Sequence, residues 1–404
     1  MGTRKVVLAS AFAVASALGA QGIASAADCS TLPNPVYIAG SSAIQPFVRD
    51  MGKALVGNTT LVYQSQGSCV GVSSVLNDTT PTGACATGAC ITGNGTFFDA
   101  TGAAQTCTLP GAGQHVDVGV SDVYATSCSG VSTVPNTIKD FTGPIQAMLF
   151  VVPKASTQTA ITAEEGYFVF GFGGAAGMVT PWLDVAFQIV RNIGSGTQQM
   201  TARAVGIPAA KMKGTDAGGS GGVVTMVSTS TSVEKTIGIL AADQYDKKRD
   251  VLAALAFQSF HQWNAYYADS TATSLDKKNV RDGHYSVWGP LHMLVQVNAT
   301  TGVPLSPAAK TFIDWVQGTP TTPAAPFDII DIQTTAGVVP ACAMTVQRDA
   351  EMGPMSKFSP TEPCGCYFEN KANGSTACTA CTGTGQGTCA TAGQVCRRGF
   401  CESH

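Results

Sequence analysis

The heptad Arg191-Asn192-Ile193-Gly194-Ser195-Gly196-Thr197 carries the residue types of an oxyanion seat. It follows the apolar run 185–190, read as a strand, and precedes 198–205, read as a helix. A strand, a tight glycine turn and a helix start leave backbone N–H groups unpaired beside two hydroxyls and one guanidinium. The lysine of a Walker-type loop is absent, and Gly-Ser-Gly also occurs in plain turns, so an ordinary turn is the competing reading. Two more turns of this kind occur earlier. Gly40-Ser41-Ser42-Ala43-Ile44-Gln45-Pro46 joins a strand at 35–39 to an amphipathic helix at 47–55, and Gln66-Gly67-Ser68-Cys69-Val70-Gly71 joins a strand at 60–64 to a helical run at 72–76. In α/β folds such turns put ligands at the carboxyl ends of strands.

Gly218-Gly219-Ser220-Gly221-Gly222 formally satisfies the G-x-S-x-G pattern of a serine hydrolase. A nucleophile elbow needs a hydrophobic strand before it, whereas Lys211-Met212-Lys213-Gly214-Thr215-Asp216 precedes this one. His261, His284 and His292 follow, but nothing in the sequence brings one to Ser220; a glycine-rich helix start beside a cleft is the simpler reading. The stripe Phe257, Phe260, Trp263, Tyr266 and Tyr267 within 251–267 has helical spacing and reads as core.

The 404 residues suffice for two or three domains, and 44% hydrophobic content supplies sizeable cores. Only 12% are charged, with a net charge of -3 and no basic run, which leaves no footprint for nucleic acid. Residues 1–26 read as a secretory signal: Arg4 and Lys5, an apolar stretch, then Ala24-Ser25-Ala26 as a cleavage site. A membrane anchor is the alternative, opposed by the shortness of the stretch and its Gly and Ser; no later run is long and apolar enough to span a bilayer. Cys29 near the cleavage point raises a lipoprotein, but Ala26-Ala27-Asp28 does not form a lipobox. A soluble exported protein, periplasmic or secreted, is expected.

In an exported chain, 14 cysteines imply disulfides. They divide into Cys29, Cys69, Cys85, Cys90, Cys107 and Cys128 at the front and Cys342, Cys364, Cys366, Cys378, Cys381, Cys389, Cys396 and Cys401 at the rear. Both groups are even and can pair internally, with connectivity open. A zinc site at Cys378-Thr379-Ala380-Cys381 is the competing reading; the second C-x-x-C of a ribbon is missing. No metal and no cofactor is expected.

The order of Gly-Ser-Ser, Tyr-Gln followed by Gly-Ser, Val116-Asp117-Val118-Gly119-Val120-Ser121-Asp122, and Arg-x-x-Gly-Ser-Gly-Thr resembles periplasmic phosphate-binding proteins of ABC importers. The likeness extends through Ile161-Thr162-Ala163-Glu164-Glu165, Gly171 and Trp182, Thr236-Ile237-Gly238-Ile239-Leu240, Asp282-Gly283-His284-Tyr285-Ser286-Val287-Trp288-Gly289-Pro290, and 308–316 with 336–340. It implies an α/β, two-lobe type 2 periplasmic binding protein fold, each lobe a central sheet flanked by helices, plus a small disulfide-rich C-terminal module. The implied bounds are 27–142 with 286–345 for lobe 1, 143–285 for lobe 2, and 346–404 for the tail. Runs 141–152 and 285–297 become the two crossovers. A Cys-rich insertion at 77–115 is expected as a surface hairpin or loop stapled to the core.

The resemblance further implies a phosphate site and a membrane ABC permease as partner. Arg191 would fork onto two oxygens, and Ser195, Gly196 and Thr197 would add hydroxyl and amide donors. Ser68 would donate from the opposite lobe, with Ser42, Ala43 and the Ile44 amide. Asp122 would accept the proton that phosphate keeps and sulfate lacks. Each Ser, Thr or Asp has a plainer reading as a helix cap. The sequence departs from the family's pattern twice, with Ala43 at a usual Thr and Ile193 at a usual Asp, which leaves another oxyanion open. An exported surface protein working through its tail is the alternative of a different class.

Overall fold

Alternation in the short apolar runs decides the architecture. In the computed structural model, which describes residues 27–78, 85, 89–173, 179–375 and 377–403, Pro35–Gly40 (β1) sends Val36 and Ile38 to one buried cluster and Tyr37 and Ala39 to another. A strand buried on both faces needs helices on both. One face is covered by α1 (Gln45–Leu55), whose Phe47, Val48, Met51 and Leu55 fall at helical spacing and are buried. Burial of each large apolar side chain contributes roughly 1.5–3 kcal/mol. β2 (Thr60–Ser65) follows, then α2 (Ser68–Leu76) on the other face. The approach of α2 is so close that a Cβ on Gly71 would lie 2.6 Å from both the Ala39 and Val120 carbonyl oxygens. Glycine is therefore required at Gly71.

The chain continues through β3 (Cys90–Ile91), β4 (Asn94–Phe98), β5 (Ala104–Thr108), β6 (Gln114–His115) and β7 (Val118–Ser121) to β8 (Ile138–Pro153). It then forms β9 (Ala160–Thr162), α3 (Ala163–Phe172), β10 (Gln188–Val190), α4 (Gly196–Ala204), β11 (Thr215–Asp216), α5 (Ser220–Ser228), β12 (Ile237–Ala241), α6 (Ala242–Asp246), β13 (Leu252–Ala254), β14 (Ala256–Gln258) and α7 (Lys278–Arg281). β15 (Trp288–Gln296), α8 (Pro307–Gln317) and α9 (Ile329–Ala336) follow.

An 11-stranded sheet has the order β11-β10-β12-β8-β15-β7-β1-β2-β4-β5, with β13 also on β8. Two parallel sets, β10 with β11 and β12, and β1 with β2 and β7, are joined through antiparallel β8 and β15. β8 pairs with β15 through Ala147 and with β12 from Met148, so this strand passes from one half to the other. This is the α/β two-lobe type 2 binding-protein fold with a disulfide-rich C-terminal module. Among the described residues no helix is long and apolar enough to cross a membrane.

Two expectations need correction. Within 185–190 only Gln188–Val190 is strand; the Asp184 carboxylate accepts from Ala186 N–H and winds Val185–Phe187 into a 3-10 turn. The aromatic stripe is not helical: 251–267 forms β13, β14 and a loop, burying Phe257 but leaving Trp263 94% exposed. Antiparallel pairing of β13 with β8 and a Phe257–Tyr266 bridge take the backbone bonds that a helix would have used. In the insertion, the β4–β5 hairpin extends the sheet at Tyr63 and Thr96 and buries Phe98 against the α1 cluster. It covers the otherwise open edge of β2.

Cysteines pair within their groups: Cys29–Cys107, Cys69–Cys128 and Cys85–Cys90, then Cys342–Cys364, Cys366–Cys378, Cys381–Cys396 and Cys389–Cys401. Cys378 and Cys381 thus join different partners, which removes the zinc reading, and seven disulfides fit an oxidising compartment. The tail forms β16 (Val346–Gln347), β17 (Ser356–Lys357), α10 (Gly365–Asn373), β18 (Gln394–Arg397) and β19 (Phe400–Ser403). The signal segment 1–26 lies outside the described residues.

Candidate functional site

Parallel strands that end in small-residue turns deliver the chemistry to one place. After β1, Ser41 N–H donates to Val120 C=O (3.0 Å) and Ala43 N–H to Ser41 Oγ (3.0 Å), while Ile44 is the N-cap of α1. Gly67, at φ +108, opens α2 with Ser68 at its first position. After β7, the Ser121 hydroxyl donates to Val123 C=O (2.6 Å) and fixes the next turn, whose Asp122 is 1% exposed.

Asp122 Oδ2 accepts from the Ser41 hydroxyl and from Ser68 Oγ at 3.2 Å, and Ser68 Oγ also accepts Asp122 N–H at 3.1 Å. Oδ1 is buried without a partner. Burial pushes this carboxyl above its ordinary range, opposed by the Ser41 and Ser68 hydroxyls and by the Arg191 charge.

The other half supplies Arg191. Its N–H donates to Gln198 Oε1 (2.9 Å), which ties the loop to α4. The guanidinium is 3% exposed as a residue and donates from Nε to Gly218 C=O (3.3 Å), from Nη1 to Ser220 Oγ (3.0 Å) and from Nη2 to Ser42 Oγ (2.8 Å). Burial draws its pKa down, countered by Asp122. Ser195 is the N-cap of α4 without a side-chain cap bond, and the buried Thr197 hydroxyl has no partner. Gly196 meets the opposite half: a Cβ there would lie 2.4 Å from Ser68 Oγ and 2.8 Å from Asp122 Cβ. Cys69 N–H donates to Gly194 C=O (3.0 Å) between the same loops.

Ser42, Ser68, Asp122, Arg191, Ser195, Gly196 and Thr197 therefore gather where the two parallel sets face each other. Ala43 and Ile44, each 1% exposed, lie in the adjoining turn with apolar side chains, so any contribution there is through backbone. Ile193 is 47% exposed, and the guanidinium is braced by neutral oxygens.

Sequence reasoning placed Ser220 beside the cleft but not in the site. Its signal was there: like the other turns, Gly-Gly-Ser-Gly-Gly opens a helix, and Ser220 begins α5. Tyr63, whose hydroxyl donates to Ser41 C=O, and Gln244, which reaches Ser42 and Ala43 C=O at 3.4 Å each, were also missed. Ser220 Oγ bonds Arg191 and Ser42, whereas His284 and His292 bond Asp282 and Asp140, so no base attends this serine among the described residues.

No family model and no curated protein matches the chain. Among solved structures it is similar to a substrate-binding protein assigned to phosphate ABC transport from Clostridium perfringens, solved with bound phosphate: TM-score 0.50 and 15% identity, over 76% of this chain and 100% of that one. An ABC-type phosphate transport receptor from Vibrio cholerae matches at TM-score 0.44 and 16% identity, over 76% and 100% of the respective chains. A phosphate-binding protein from Stenotrophomonas maltophilia matches at 0.43 and 12%, over 82% and 95%. The first likeness carries the fold assignment.

Proposed function

We propose that this exported protein captures inorganic phosphate between lobes 27–142 with 286–345 and 143–285 for delivery to a membrane ABC permease. The observation that carries the reading is the buried, unpartnered Asp122 Oδ1 beside the donors of Arg191, Ser68 and the α4 start. A buried polar atom left unsatisfied costs about 1–3 kcal/mol, and such an atom calls for a partner. A ligand that supplies one O–H to this oxygen and several bare oxygens to the surrounding donors satisfies both sides. Phosphate at neutral pH retains a proton; sulfate does not. The Arg191 guanidinium, Ser42, Ser195, Thr197 and amides at the starts of α1, α2 and α4 supply the donors. The Clostridium perfringens protein of similar fold, solved with bound phosphate, supports the choice of anion.

Calorimetry on the mature chain with phosphate and sulfate tests the reading. Micromolar or tighter binding of phosphate with no sulfate response is the expected result. Silence toward both refutes capture.

A further inference from the structure

The C-terminal segment enters the space directly behind the Asp122 turn. Tyr124, two residues beyond Asp122, is held twice: its N–H donates to Glu351 Oε2 (3.1 Å) and its hydroxyl to Arg348 C=O (3.1 Å). The Arg348 guanidinium lies 4.1 Å from the Trp288 ring and donates to Ser286 C=O (3.0 Å), at the crossover strand β15. Gly289 separates the two sides so thinly that a Cβ there would lie 3.5 Å from Asp122 C=O and 3.9 Å from Glu351 Oε1. Further along, α10 grips both halves. Glu369 pairs with Arg281 of α7 at 2.7 Å, while the Tyr367 hydroxyl donates to Asp331 of α9 at 2.6 Å. Cys342–Cys364 anchors the start of this helix to the end of the main body.

We propose that the Cys-rich C-terminal segment is a positioning element of the oxyanion site: Glu351 and Arg348 fix the turn that carries Asp122, and α10 holds the two halves in the relation that brings Arg191 to Ser42. The effect on binding rests on the oxyanion reading; the bracing of the turn stands apart from it. A module that only stapled itself would need none of these bonds. Because Asp122 engages its ligand through one oxygen, a turn free to shift by a fraction of an ångström loses that bond. Glu351 acts through Tyr124 and touches no ligand, so its substitution weakens binding without removing a ligand group.

The test uses the full mature chain with Glu351→Ala, Glu351→Gln and Tyr124→Phe. Phosphate Kd is measured by calorimetry, thermal midpoint alongside, and amide exchange at 122–125 without ligand. In Glu351→Ala, Kd rises about tenfold, the effect of one lost hydrogen bond to a charged group, and exchange at 122–125 accelerates. Glu351→Gln keeps an acceptor oxygen and restores both. Tyr124→Phe removes one bond from a chain that retains its packing and gives a smaller change in the same direction, which serves if the alanine variant does not fold. A lowered midpoint with parental Kd and parental exchange in Glu351→Ala overturns the proposal. If the parent is silent toward phosphate, the ligand reading fails on its own. Exchange then decides the brace: acceleration in Glu351→Ala and Tyr124→Phe supports it, and parental rates overturn it.

Discussion

Asp122→Asn changes one atom at the centre of the proposed site, and the local bonds determine which way the new amide faces. Oδ2 accepts two hydroxyls, from Ser41 and Ser68, so the amide oxygen of an asparagine belongs at that position. The NH2 group then takes the place of Oδ1, which is buried and unpartnered. An acceptor for the phosphate proton becomes a donor. One hydrogen bond to a charged group contributes about 1.5–3 kcal/mol, so phosphate weakens by roughly 10- to 150-fold. Sulfate gains a donor and loses a repelling carboxylate, so it strengthens over a similar range. The ratio of the two affinities, read by calorimetry at pH 7.5 and low salt, moves by the product of these factors. In the parent, burial raises the Asp122 carboxyl, so acid pH populates the form that donates. Sulfate binding to the parent therefore increases as pH falls, and that slope is absent from Asp122→Asn. An unchanged phosphate-to-sulfate ratio in the variant, or parallel weakening of both anions, refutes the proton-acceptor role.

Ser220→Ala removes the oxygen that takes Arg191 Nη1 at 3.0 Å. Loss of one hydrogen bond to a charged group predicts phosphate binding weaker by roughly 10-fold or more in calorimetry. Gly196→Ala sets a Cβ 2.4 Å from Ser68 Oγ, a collision between halves and not within α4, so solution scattering is expected to show a more open chain. Phosphate binding falls by about 100-fold or more, in keeping with overpacking, while the thermal midpoint changes little. Asp243 is buried with Oδ2 unpartnered, and burial raises its carboxyl well above the ordinary range, with Asp122 and Asp246 adding to the shift. A raised folded-state pKa means that stability falls as pH rises from the unfolded value through the folded one. Asp243→Asn is therefore expected to raise the thermal midpoint at pH 8, with a gain that shrinks as pH falls and the parental carboxyl becomes protonated.

The legible parts of this chain are those whose causes are local. Gly40, Gly67 and Gly196 stand at turns that precede helices, and small residues before an apolar periodic run signal that geometry without reference to the rest of the fold. Thr162 with Glu165 forms a capping box that starts α3 as its spacing requires. The convergence of Arg191 with Ser42 came through the ordered resemblance to a family, since residues 149 positions apart leave no local trace of contact. The misreading of the aromatic stripe has a non-local cause. Phe257, Trp263 and Tyr266 satisfy a helical period, but β8 offers an edge that β13 takes, and periodicity carries no information about that competitor. The place of the β4–β5 hairpin on the open edge of β2 likewise left no local trace. Cysteine parity separated the tail as a unit but not its docking, because the pairs Glu369–Arg281 and Tyr367–Asp331 join side chains that look like ordinary surface residues in sequence.

The neutral bracing of Arg191 bears on what the site holds. Ser42, Ser220 and Gly218 C=O take the guanidinium protons without neutralising its charge, and Ile193 adds none. On the proposed reading an ionised Asp122 balances Arg191, so a dianion arrives as an uncompensated load. The starts of α1, α2 and α4 all end at this place, each presenting about half a positive charge from its aligned peptides. Three such ends offset most of a dianion without bringing a second cation, whose own desolvation would oppose closure. Hydroxyls serve better than carboxylates in this setting. A carboxylate on Arg191 would compete with the ligand for the same N–H groups, whereas a serine oxygen that accepts from arginine retains its own proton to donate to the anion. Ser220 belongs to the same half as Arg191 and Ser42 to the other, and the two serines stand 3.4 Å apart, so of the contacts that brace Arg191 the one to Ser42 crosses between the halves. On the proposed reading, closure therefore adds the Ser42 hydroxyl to a donor set that Arg191 and Ser220 already form within one half.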